Sequence, residues 1–93
     1  MKTFKILLDV RNVLAEFDGQ VKRVGFFVTK IVDAPNLNLA FEAAKHEVLH
    51  SAEAQRIFKN ASDDPPQVVL EEHEAVNRAT GEDVETGFLF YEE

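Results

Sequence analysis

TFKILLDVRNVLAEFDGQVKRVGFFVTKIV, residues 3–32, is the stretch whose reading decides the fold. From Thr3 to Val10 the residues alternate as a half-buried strand does. Phe4, Ile6, Leu8 and Val10 share one face, while Lys5, Leu7 and Asp9 share the other. Val21 to Val32 is rich in β-branched and aromatic residues and reads as a second strand. Asp18-Gly19 between them is a strong signal for a two-residue hairpin turn. A register fixed by that turn pairs Ile6 with Ile31, Leu8 with Thr29 and Val10 with Phe27. Asn12 would face Gly25, and a bulge there would shift the outer part of the register.

Working outward, DAPNLNLAFEAAKHEVLHSAEAQRIFKN (33–60) predicts a helix. Pro35 suits the first turn, and Asp33 and Asn36 suit the positively polarised entry. Leu37, Phe41, Ala44 and Val48 fall in one stripe with Ala40 and Ala52 beside it, which is the pattern of a helix docked on a sheet. Ser51 marks a second turn or a kink, and the helical region ends near Asn60. Ser62-Asp63-Asp64-Pro65-Pro66 stops it. Gln67–Val76 predicts a third strand, 77–86 a polar loop, and Gly87–Tyr91 a last short strand. The expected architecture is therefore a single α+β domain over 1–93 with element order ββαββ. It is a four-stranded, mainly antiparallel sheet with one face covered by a helix, ferredoxin-like minus one helix. The expected strand order is second, first, third, fourth.

Composition excludes several function classes. The chain has 93 residues, 45% of them hydrophobic and eight of them phenylalanine, enough for one core. It has no cysteine, hence no disulfide framework, thiolate chemistry or cysteine zinc site. The opening apolar run breaks at Asp9 and Arg11, and no stretch approaches the ~20 apolar residues of a membrane span. A cytoplasmic domain that does not engage membranes is the expectation. Net charge is −7, and the sequence concentrates it: residues 61–93 hold ten acidic side chains against Arg78 alone. Lys22, Arg23 and Lys30 are too few for the basic footprint that nucleic-acid binding requires. The acidic third is either a solvated surface or a docking face for a basic partner.

His46-Glu47-Val48-Leu49-His50 matches H-E-x-x-H. Two histidines four apart can bind Zn²⁺ from one helical face while the glutamate acts as general base on bound water. The five residues resemble the zinc-protease helix of thermolysin-like enzymes, which implies a small zinc-dependent hydrolase with a third ligand among Glu71, Glu72 or His73. In that family the third ligand is a helical glutamate, whereas these residues fall in an expected strand. At about 100° per residue, His46 and His50 lie some 180° and 220° from Leu37, away from the sheet. That placement favours surface histidines, with no catalytic, metal or cofactor site assigned. Ser51 and Ser62 sit in helix-start and turn contexts, and the four glycines form no phosphate loop.

GFFVTKIVDAPNLNLAFEAA, DDPPQVVLEE and the terminal GFLFYEE resemble a group of small bacterial proteins of unknown function. The resemblance rests on structural residues and implies a shared fold without an activity. Function is then expected from association. One helix covers one sheet face, and the other is expected to present Leu7, Val24, Phe26 and Val28 as an interface. Either a partner covers them, as a homodimer or another protein, or the 77–86 loop or the Asn12–Glu16 segment folds over them.

Overall fold

In the structure, a computed structural model describing residues 1–77 and 85–93, the chain forms a long hairpin. Strand β1 spans Lys2–Phe17 and β2 spans Gln20–Ala34, joined at Asp18-Gly19. Both turn residues have positive φ, 50° and 82°, as a two-residue hairpin of the twist-matched kind demands. Helix α1 follows over Leu37–Leu49 and α2 over Ala52–Ile57, then strand β3 over Gln67–Val76 and strand β4 over Leu89–Glu92. All pairings are antiparallel and the sheet order is β3-β1-β2-β4. The small α+β class expected from the sequence is the class observed.

The hairpin keeps the turn-set register only as far as Val13, which faces Val24. Arg11 and Asn12 then together oppose Gly25, and beyond this bulge every pair shifts by one. Ile6 faces Lys30, Leu8 faces Val28 and Val10 faces Phe26. Since a one-residue shift moves a strand's whole side-chain set to the other face, this corrects the expected pairing with Ile31, Thr29 and Phe27. Val24, Phe26 and Val28 are buried with Ile6, Leu8 and Val10 under the helices. They belong to the core, not to a free interface. Leu7 alone of that set lies on the open face, half-buried.

The bulge is made by residues suited to it. Asn12 sits at φ 58°, a left-handed conformation that asparagine tolerates. Its side-chain amide donates to Asp64 Oδ1 at 2.8 Å, and its backbone N–H donates to the Glu93 carboxylate at 3.3 Å. Asn60 completes the knot, donating to the Asn12 carbonyl (2.8 Å) and accepting from the Leu14 N–H (2.9 Å). Asn60 therefore serves the sheet rather than ending a helix. The Asn12–Glu16 segment belongs to β1 and does not fold over the sheet.

Helix α1 begins two residues later than a proline at its first position would place it. Asn36 is the N-cap, its Oδ1 accepting from Leu39 N–H at 2.9 Å, and Pro35 precedes it. The most buried stripe is Ala40, Ala44 and Val48, small side chains that let the helix lie close on β1 and β2. The expected kink is real: the Ser51 hydroxyl donates to the Val48 carbonyl (2.9 Å) and accepts from Ala54 N–H (3.1 Å), so one side chain ends α1 and starts α2. Ala54, not Ala52, is the buried alanine of α2.

The strand order differs from the expected one at β4, which pairs with β2 instead of β3. Aromatic packing explains the choice. Phe88 stacks on Phe26 with ring centroids 4.1 Å apart, and Phe90 meets Phe26 at 5.4 Å and Phe17 at 5.1 Å. The outer edge of β3 carries exposed Glu71, Glu72 and Glu74 instead, side chains that deter strand addition. Among the described residues no helix is long and apolar enough to cross a membrane. The expected polar loop falls largely on 78–84, outside the described residues.

Candidate functional site

The face of the sheet turned away from the helices is built in cross-strand rows. One row runs Leu89, Phe27, Asp9, Val69 across β4, β2, β1 and β3. A second begins with Tyr91 on β4 and Gly25 on β2, and meets the bulge at Arg11. On the other side lies Thr29, Leu7, Glu72. Phe27 is 36% and Leu89 59% exposed, while Leu7, Ile31 and Val69 are half-buried.

Asp9 sits at the centre of this face and is only 4% exposed. A carboxylate there needs partners, because burying an unpaired charge is costly. It has two. Arg11 Nε donates to Oδ2 at 2.7 Å, and the Tyr91 hydroxyl donates to Oδ1. The hydrogen bond from Arg11, and then the charge of Asp9, raise the pKa of the guanidinium above its ordinary value. Burial first, and then the hydrogen bond to Asp9, push the Tyr91 hydroxyl up to about 12.

The tyrosine reaches Asp9 only because Gly25 lies beneath it. A Cβ at Gly25 would collide with the Tyr91 ring. The glycine is thus a slot in β2 across which an aromatic from the neighbouring strand lies. Phe27 flanks the tyrosine with ring centroids 5.2 Å apart. Beyond Leu7 the face dips into an open depression of about 320 Å³ lined by Lys5, Leu7, Thr29, Glu72, His73 and Glu74. Lys5 approaches Glu74 at 4.0 Å across its rim.

Sequence reasoning found Leu7 on this face but missed Phe27, Asp9, Arg11 and Tyr91 as a group. A lone aspartate inside ILLDV, a lone glycine inside VGFFV and a lone tyrosine in the whole chain were the available signals.

His46 and His50 project from the outer side of α1, both exposed. Their rings stack at 4.1 Å. Glu47, the general base of the motif's chemistry, instead pairs with Lys30 Nζ at 3.5 Å. The proposed third ligands Glu71, Glu72 and His73 lie on β3, and among the described residues no three His, Cys, Asp or Glu side chains gather as a metal-ligand set.

Compared with protein-family models, with curated proteins and with solved structures, the chain matches none.

Proposed function

We propose that this protein works by association, joining a second copy of itself through the open sheet face. The observation that carries the reading is the Leu89–Phe27–Asp9–Val69 row with Leu7 and Ile31 beside it, a largely apolar patch around one paired carboxylate, with two large exposed side chains. Monomeric proteins seldom leave such a patch in water. The arrangement is akin to a ferredoxin-like sheet with one helix missing, in which, among the described residues, helices cover a single face.

The size fits. At about 3.3 Å along a strand and 4.8 Å between strands, strands of 16, 15, 10 and 4 residues give the face a plan area of roughly 700 Å². A standard interface buries about 800 Å² per partner. Glu72 and Glu74 at the β3 margin supply a polar rim, and stacking the two sheets would bury the Asp9 carboxylate together with its partners Arg11 and Tyr91. Two copies face to face would form a sandwich with sheets about 10 Å apart.

Sedimentation velocity on tag-free protein tests this. A dimer is expected that Phe27→Glu dissociates, while Leu39→Gln, on the exposed side of α1, leaves it intact. A monomer at about 1 mM, or dimerisation insensitive to Phe27→Glu, overturns the reading.

A further inference from the structure

The outer side of α1 carries a second constellation, independent of the sheet face. His46 and His50 stand one helical turn apart, with ring centroids at 4.1 Å and planes inclined by 24°. Residues four apart on a helix hold their Cβ atoms about 5–6 Å from each other. Face to face, the two rings do not aim their in-plane lone pairs at one point; rotation about the side-chain bonds of these exposed residues would bring one nitrogen of each onto a metal ion at the ~2.0–2.1 Å that metal–imidazole bonds require. His50 Nδ1 lies 2.9 Å from the His46 carbonyl oxygen, which can only accept. Nδ1 is therefore the donor in this contact, and Nε2 is the nitrogen left for a metal. A backbone carbonyl on the other ring nitrogen is the usual way a ligating histidine is oriented.

Glu47 takes no part, being paired with Lys30 on the sheet-facing side. Neither histidine is needed by the core, which uses Ala40, Ala44 and Val48 of this helix.

We propose that His46 and His50 are a two-imidazole chelate for a borderline divalent transition-metal ion, of the Cu²⁺, Ni²⁺ or Zn²⁺ class. The remaining coordination positions are open to water. Imidazole suits these ions, whereas Mg²⁺ and Ca²⁺ require oxygen ligands. Because His50 caps the C-terminus of α1, the metal would tie down that helix's last turn, next to the Ser51 joint.

The test is calorimetric titration of tag-free protein with Cu²⁺, Ni²⁺, Zn²⁺ and Mg²⁺ in a non-chelating buffer, with amide NMR spectra followed in parallel. One ion per chain is expected, Cu²⁺ binding tightest and Mg²⁺ not at all. Resonances of residues 46–50 should be the first broadened by Ni²⁺. His46→Ala and His50→Ala should each weaken binding by at least about tenfold, while His73→Ala leaves it unchanged. Far-UV circular dichroism confirms that the variants keep their helix. Affinity unchanged in His46→Ala, affinity lost in His73→Ala, or one ion per two chains would overturn the proposal.

Discussion

At the scale of single residues, the Tyr91–Asp9 bond is open to direct measurement, because the chain contains one tyrosine and no tryptophan. Phenolate absorbance near 295 nm therefore reports Tyr91 alone. Its midpoint should lie near 12 in the folded protein and near the ordinary 10 in denaturant. The folded value is the raised one, so the folded state holds this proton more tightly. The stability it brings is fully present below pH 10 and is lost as pH rises through 10 towards 12. Asp9→Asn should lower the folded midpoint without returning it to 10, since burial remains the larger cause. Tyr91→Phe leaves the buried Asp9 carboxylate with Arg11 alone, at a cost of about 1–3 kcal/mol by urea denaturation. Gly25→Ala should produce both effects, because its methyl group displaces the ring. A folded midpoint of 10 in the unaltered protein would show that the ring does not lie across Gly25.

At the scale of elements, the sequence was legible wherever a signal was local. Asp18-Gly19, the helical stripe, the Ser51 joint and the prolines at 65 and 66 each announce themselves through spacing or backbone chemistry. A bulge at Asn12 opposite Gly25, shifting the outer part of the register, was legible as a possibility, but not that it forms. What holds the bulge is Asn60, Asp64 and Glu93, distant in sequence and joined to it only by folding. That one residue of slip exchanged Phe26 and Val28 for Phe27 and Thr29 on the open face, and so misassigned most of the interface set. The same dependence makes Asn60 a sensitive position. Asn60→Ala strips partners from the Leu14 N–H and the Asn12 carbonyl, and should cost about 1–3 kcal/mol in urea unfolding. Hydrogen exchange should show the Leu14 amide losing protection ahead of Ile6 and Leu8 in the core. Equal loss at all three would mean that Asn60 supports the whole sheet rather than the bulge.

At the scale of the molecule, β4 was misplaced because strand order is set by which edge offers a fitting surface, and that surface was assembled from Phe26, Phe17 and Gly25 of other elements. The resulting face has apolar residues around the paired Asp9 at its centre and acidic ones at the β3 margin, on a chain of net charge −7. Two copies meeting there gain from burying Phe27, Leu89 and their neighbours and lose from repulsion between like-charged chains. These two terms respond oppositely to salt. Repulsion is screened, with a Debye length of about 10 Å at 0.1 M falling to about 3 Å at 1 M. Apolar burial is not screened, and sulfate strengthens it. The dimer's dissociation constant should therefore fall several-fold between about 20 mM and 500 mM sodium chloride, and further in sodium sulfate, when followed by sedimentation equilibrium. If intermolecular ion pairs between Arg11 or Arg23 and the β3 glutamates held the copies together, added chloride would weaken them instead. A dissociation constant that rises with salt would thus replace the apolar row by those ion pairs as the source of the affinity.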